Sequence, residues 1–281
     1  LVHENLFSSR RRARGRAGRV LACDVLEGPL SAAKENVRRA GLSGRIRCLS
    51  GDGFHAMDMA GAGLWADAEN GRVRSADDGI GTAAAPGDES LAEWLPEAAV
   101  ICGMGGLTIK HILEGRDAAG PRLKTFILGP QSETEALRRY LREKGLVIER
   151  EDMVCEDGKY YPLIRALADP LAEACADAGM FLRIRENAAA DAWRDVPGTD
   201  AGSDPDCDDL RRICDMFGPC LLAQGHPVLK DLLEKRLRTD MELSTRLASS
   251  GSERAAQKLR DVREDERLTG LALDICLERG R

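Results

Sequence analysis

Apolar positions along this chain come in two alternating forms: short unbroken runs and runs at helical spacing. Val20-Leu21-Ala22-Cys23 is a compact apolar run ending in Asp24, as a buried strand would. Helical spacing follows, with Pro29 at its start, then Leu30, Ala33, Val37 and Ala40, and Gly41 closing it. Arg45–Ser50 reads as a second strand and leads into Gly51-Asp52-Gly53. A third, Ala98–Ile101, runs into Cys102-Gly103-Met104-Gly105-Gly106, after which Leu107–Leu113 carries a helical pattern. Leu123–Leu128 predicts another strand, ending at Gly129-Pro130. Ser132 with Glu135 three residues on reads as a capping box for a helix over Glu133–Lys144, with Gly145 as its C-cap. Leu146–Glu151 and Tyr160–Leu167 flank Glu156-Asp157-Gly158-Lys159, where Asp-Gly between extended residues signals a hairpin.

Strand and helix in alternation predict an α/β, Rossmann-like architecture with a parallel sheet, finished by an antiparallel pair. The tail differs. Leu229, Leu233, Leu237, Met241, Ser244 and Leu247 fall at steps of four and three, one stripe of a long helix. Ser249-Ser250-Gly251-Ser252 breaks it, and Leu259, Val262, Leu271, Ile275 and Leu277 predict a second helix, so the two form a C-terminal α-helical hairpin. The expected organisation is an Arg-rich connector over 1–18, an α/β domain over 19–167, a second insertion over 168–208 and the helical hairpin over 209–281. A first insertion, 60–90, lies inside the α/β domain. Both insertions are rich in Ala, Asp and Gly without an apolar period, which predicts flexible segments.

Composition narrows the class. The 281 residues are long enough for a sizeable core, and 31% are charged. No apolar run approaches the roughly 20 residues that span a bilayer, and no secretory signal is visible, so a cytoplasmic protein is expected. Nine cysteines are scattered without a CxxC pair, which favours reduced thiols and no metal. The net charge of −6 is unexpected for a nucleic-acid binder, but binding needs only a local basic face. Arg10, Arg11, Arg12, Arg14, Arg16 and Arg19 supply one candidate; Lys230, Lys235, Arg236, Arg238 and Arg246 supply another. An ordinary solvated loop and a charged helix face are the competing accounts.

An acid at one strand end, a second in Gly-Asp-Gly after the next, and a glycine-rich turn after a third form an ordered series. Asp24 can accept from both hydroxyls of a ribose, and Asp52 from the exocyclic amine of an adenine. That is the cofactor side of a methyltransferase using S-adenosyl-L-methionine (SAM). Asp24-Val25-Leu26-Glu27-Gly28-Pro29-Leu30, Gly51-Asp52-Gly53, Gly103-Met104-Gly105-Gly106, Pro130-Gln131-Ser132, Glu156 to Pro162, Phe217-Gly218-Pro219 and His226-Pro227-Val228-Leu229 occur in order. Together they resemble the bacterial tRNA (adenine-22-N1)-methyltransferase family, over residues 19–59, 97–165 and 212–247.

The resemblance implies a class I methyltransferase fold, SAM as cofactor and tRNA as partner. It implies SAM binding by Asp24, Val25, Gly51, Asp52, Gly53, Cys102 and Gly103, and base positioning by the backbone of Gly103, Met104 and Gly105. RNA contacts are expected at Lys159, Tyr160, Lys230, Lys235, Arg236 and Arg238, with Tyr160 or Tyr161 able to stack on a flipped base or simply to pack. The family opens with a strand and an Asp-Ile-Gly-x-Asp-His-Gly-Tyr loop that this sequence lacks, so an N-terminally truncated domain is expected. Cys102 reads as a small residue in a tight turn, and His55 and His111 as surface histidines. A methyltransferase of another substrate, or a non-catalytic RNA-binding remnant, remains open.

Overall fold

The computed structural model describes residues 18–54, 64–67, 72–75, 96–116, 123–168, 207–250 and 252–278. Its strands are β1 (Val20–Asp24), β2 (Ile46–Ser50), β3 (Leu64–Asp67), β4 (Arg72–Ser75), β5 (Ala98–Met104), β6 (Thr125–Pro130), β7 (Val147–Glu156) and β8 (Lys159–Leu167). Its helices are α1 (Glu27–Arg39), α2 (Gly106–Glu114), α3 (Thr134–Glu143), α4 (Cys207–Phe217), α5 (Pro219–Gln224), α6 (Pro227–Ala248) and α7 (Glu253–Glu278). The chain divides into two compact units: Leu1–Gly103 with Thr108–Thr125, and Met104–Leu107 with Phe126–Arg281.

In the first unit β1 and β2 pair in parallel, from Val20 opposite Ile46 to Asp24 opposite Ser50, with α1 as the crossover. Leu30 and Val37 are the buried face of α1, which starts two residues before the predicted Pro29. It ends in a Schellman motif: the Gly41 amide donates to the Arg38 carbonyl, the Leu42 amide to that of Val37, and Gly41 takes φ +67°. Segment 60–90, expected to lack regular structure, carries the antiparallel pair β3 and β4. The rest of that segment, the arginines at 10–16, His55 and nearly all of 168–208 lie outside the described residues.

In the second unit β8 lies between β6 and β7. The β7–β8 hairpin closes with Glu156 opposite Lys159, across Asp157 (φ +50°) and Gly158 (φ +72°). Positive φ at both central residues is the two-residue turn whose twist matches that of the strands. Helix α3 is amphipathic, burying Leu137, Arg138, Tyr140 and Leu141, and ends in a second Schellman motif at Gly145.

The capping box expected at Ser132 is not formed. The N-cap is Glu133, left-handed at φ +46°, with no side-chain cap bond; the Ser132 hydroxyl instead donates to Glu133 Oε2 at 2.6 Å. Glu135 is spent on Arg139, 2.5 Å away and one turn on.

The tail holds more than a hairpin. Ahead of α6 and α7, α4 and α5 contribute Leu210, Ile213, Cys214, Phe217, Leu221 and Leu222 to a core shared with Leu229, Leu233, Leu268, Leu271, Ala272 and Ile275. Two apolar members of the predicted stripes are exposed. Met241 is 55% and Leu277 41% exposed, while Ala272 and Cys276 are buried instead.

A charge network ties α4 to α7. Arg267 makes a bidentate pair with Asp209 at 2.7 and 2.8 Å, and Glu264 accepts from Arg267 at 2.9 Å and from Arg212 at 2.6 Å. These bonds, that from Arg267 foremost, pull the Glu264 carboxyl from 4.5 down to about 2. Its folded pKa is depressed, so its contribution is present above pH 4.5 and is lost as pH falls from about 4.5 to about 2. Circular dichroism over that window is expected to show an acid loss in the wild type that Glu264→Gln shifts or shrinks. An identical profile in the variant would remove the network as the cause.

Candidate cofactor and acceptor site

In the first unit, β1 delivers Asp24 half-buried at its carboxyl end. The Leu26 amide donates to Asp24 Oδ1 at 2.8 Å, which fixes the carboxylate while leaving further acceptor positions for a diol. Val25 and Leu26, beside it, are 60% and 62% exposed. Large apolar groups held in water next to a fixed carboxylate suit the flat face of a base. The Gly51 amide donates to the Asp24 carbonyl at 3.2 Å, joining the two strand-end turns.

Gly53 sits at φ +52°, and a Cβ there would lie 2.6 Å from Cγ2 of Ile112 on α2. The turn bearing Asp52 therefore rests directly on α2. His111 on that helix brings Nε2 to 3.9 Å from Asp52 Oδ2, with its Nδ1 3.6 Å from Glu114. His111 is 73% exposed, as a surface histidine would be, yet it stands over a candidate ligand turn. Gly103 takes φ +81°, and Cys102 is half-buried. Burial pushes the Cys23 thiol up to about 11, with Cys48 and Asp24 adding to the shift, so it stays protonated at neutral pH.

In the second unit, Met104, Gly105 and Gly106 are strapped to the turn after β6. The Gln131 amide donates to the Met104 carbonyl at 2.9 Å, and the Gly106 amide to that of Ser132 at 2.8 Å. A Cβ on Gly105 would lie 2.7 Å from Glu133 Oε2 and 2.8 Å from Ser132 Oγ. On Gly106 it would lie 2.4 Å from the Glu133 carbonyl oxygen. Glycines expected to make room for a ligand thus make room first for the protein's own Ser132–Glu133 turn. Sequence reasoning took Ser132 for a cap and passed over Glu133; the signal available was Pro130-Gln131-Ser132 at a strand end.

The basic residues divide by what already holds them. Lys235 lies 5.4 Å from the centre of the Tyr160 ring and donates to the Gly158 carbonyl at 3.4 Å. The Tyr160 hydroxyl donates to Asp231 at 2.5 Å, and that bond, ahead of the other effects, pushes its pKa up to about 12. Arg236 reaches Asp240 at 3.6 Å and Asp265 at 3.4 Å and lies over Phe217. Lys230 pairs with Glu234 at 3.9 Å, while Lys159 and Arg238 are exposed. His226 caps α6 and places Nε2 3.1 Å from Asp152 Oδ1, with Pro227 as first helical residue. Among the described residues no His, Cys, Asp and Glu group could hold a metal ion, and no helix is long and apolar enough to cross a membrane.

A methyltransferase-domain model matches residues 55–164. The tRNA (adenine(22)-N(1))-methyltransferase of Bacillus subtilis is 26% identical over 154 residues, 54% of this chain and 50% of that protein. The chain thus spans about half the length of the curated relative it matches. The crystal structure of the B. subtilis M1A22 tRNA methyltransferase TrmK superposes with a TM-score of 0.62 at 20% identity, covering 96% of this chain and 88% of that one. Streptococcus pneumoniae Sp1610 in complex with S-adenosyl-L-methionine gives 0.55 at 20% identity, over 93% and 84%. The fold is Rossmann-like, and residues 55–164 resemble a methyltransferase domain. Over 154 residues the chain is similar in sequence to a bacterial tRNA (adenine-22-N1)-methyltransferase.

Proposed function

We propose that this chain takes part in SAM-dependent methylation of N1 of an adenine in tRNA, adenine 22 by analogy with its relatives. The ordered series of Asp24, Gly51-Asp52-Gly53 and Cys102–Gly106 at the ends of β1, β2 and β5 carries this reading. The residues fit the cofactor: a fixed carboxylate, flanking apolar groups, a second exposed carboxylate and glycine turns. SAM supplies an electrophilic methyl group. Adenine N1 already has its lone pair, so the protein's work is alignment rather than acid–base chemistry. Asp24 would hold the ribose hydroxyls, Asp52 the exocyclic amine, Val25 the ring face, and Gly51, Gly53 and Cys102 the close backbone approach. The backbone of Gly103, Met104 and Gly105 would position the methionine end and the target base. Lys159, Lys230, Arg238 and the Tyr160–Lys235 pair, with Arg236 anchoring α6, would form the RNA face, and the base leaves its stack at a cost of a few kcal/mol.

The test is label transfer from radioactive SAM to unmodified tRNA transcripts, beside direct SAM binding by wild type and Asp24→Ala. Label on adenine is expected, with SAM affinity reduced roughly 10–100-fold in the variant, the loss of hydrogen bonds to a charged acceptor. SAM binding without label on tRNA would assign another methyl acceptor. Retained tRNA binding without SAM binding would make the chain an RNA-binding protein and overturn the proposal.

A further inference from the structure

We infer that Glu133 recognises the acceptor base: its carboxylate accepts a hydrogen bond from the 6-amino group of the adenine presented at Met104-Gly105-Gly106 and stabilises the charge that methylation places on the ring. The inference rests on the methyltransferase reading above and adds a residue to it.

Glu133 occupies a backbone conformation that does not suit it. N-cap residues are ordinarily extended and short-chained, whereas Glu133 sits at φ +46°, ψ +37° and gives no cap bond. Left-handed backbone at a residue other than glycine or asparagine costs of order 1 kcal/mol or more and persists only where its surroundings hold it. They do so here: the Gly106 amide binds the Ser132 carbonyl at 2.8 Å, the Leu137 amide binds that of Glu133 at 3.2 Å, and Gly106 leaves no space for the turn to relax. A glycine would satisfy the same backbone without strain. What glutamate adds is an exposed carboxylate, oriented by the Ser132 hydroxyl and set against Gly105. Gly105 belongs to the turn assigned to base positioning.

The chemistry at N1 calls for such a group. The N1 lone pair forms the new N–C bond, the pair of the breaking C–S bond stays on sulfur, and the sulfonium's positive charge passes to the base. No proton leaves. The new cation is shared along N1, C6 and N6, so an acceptor on N6–H binds more strongly as the bond forms. Interaction that strengthens towards the transition state accelerates the step rather than merely binding substrate.

The test compares wild type, Glu133→Gln and Glu133→Gly on transcripts carrying either adenine or purine, which lacks the 6-amino group, at the target position. Glu133→Gln, which keeps an acceptor oxygen but loses the charge, is expected to lower kcat roughly 10–100-fold with little change in KM for tRNA. The preference for adenine over purine should shrink most in Glu133→Gly, which has no acceptor. Glu133→Gly should lose the same activity while its Tm rises by about 2–4 °C as the strain is relieved. Unchanged kcat in both variants, or an adenine preference undiminished in Glu133→Gly, would leave Glu133 a turn residue only. If the wild type labels no tRNA at all, the methyltransferase reading fails first, and this inference with it.

Discussion

Glu151→Ala is expected to destabilise the protein by roughly 3–5 kcal/mol, the cost of stranding one member of a buried ion pair. Glu151 on β7 and Arg138 on α3 expose 0% and 2% of their side chains, 2.8 Å apart. Each is committed further. Glu151 Oε2 accepts from the Cys220 amide at 2.9 Å, serving as a cap in trans for α5, which has none of its own. Arg138 donates to the Asp215 and Met216 carbonyls at 3.2 and 2.9 Å, at the end of α4. Alanine at 151 would leave a guanidinium in a dry interior and an amide without an acceptor. Urea unfolding checks the magnitude, and Arg138→Met/Glu151→Leu should lose less than the two single changes summed, since neither charge then remains. A loss under about 1 kcal/mol in Glu151→Ala would mean that water reaches the pair. Gly218, at φ +97°, belongs to the same knot: a Cβ there would lie 2.6 Å from Glu151 Oε2 and 2.8 Å from an Arg138 nitrogen.

That knot was the least legible part of the molecule. Phe217-Gly218-Pro219 stands out in the sequence, but nothing local says that its glycine makes room for an ion pair between Arg138 and Glu151, both far earlier in the chain. Where structure is decided locally, reading along the chain sufficed. Asp157-Gly158 determines its own turn, and Gly41 and Gly145 end their helices through bonds within six residues. Leu210, Ile213, Cys214 and Phe217 have helical spacing that could have revealed α4. The Ser132–Glu135 pair failed as a capping box because Gly105 and Gly106, some twenty-seven residues earlier, hold Glu133 left-handed. Met241 failed as a core residue for a related reason. Helical spacing defines a stripe, but the partner decides how far along it burial runs, and beyond Leu233 the inner side of α6 turns to polar partners such as Arg236–Asp265 and Ser244–Glu266. In the candidate site the strand-end acids and glycines were visible as residue types. The reason two of those glycines are needed was not.

Gly106→Ala is expected to cost about 1–3 kcal/mol in stability, the overpacking range, and, on the proposed function, to lower methyl transfer by a larger factor than that loss alone implies. Its new Cβ would meet the Glu133 carbonyl oxygen at 2.4 Å, the Glu133 carbonyl carbon at 2.8 Å and the Ser132 carbonyl oxygen at 2.9 Å. All three are backbone atoms and none can rotate aside. The two turns must separate, breaking the bond from the Gly106 amide to Ser132 and releasing Glu133 from the conformation that sets its carboxylate. Gly105→Ala makes the instructive comparison, because its Cβ would meet only the side-chain ends of Glu133 and Ser132. These can swing away, so stability should fall less while the carboxylate is displaced just as surely. Gly270→Ala in α7, where a Cβ meets nothing within 4 Å, serves as the control and should stabilise by about 0.5–1 kcal/mol. Urea unfolding and tRNA label transfer on the three variants separate the roles: stability should fall most at 106, less at 105 and rise at 270, while transfer is impaired at both 105 and 106. Equal stability at 105 and 106 would mean that the turns are free to part, and the strapped arrangement on which the role of Glu133 depends would not hold.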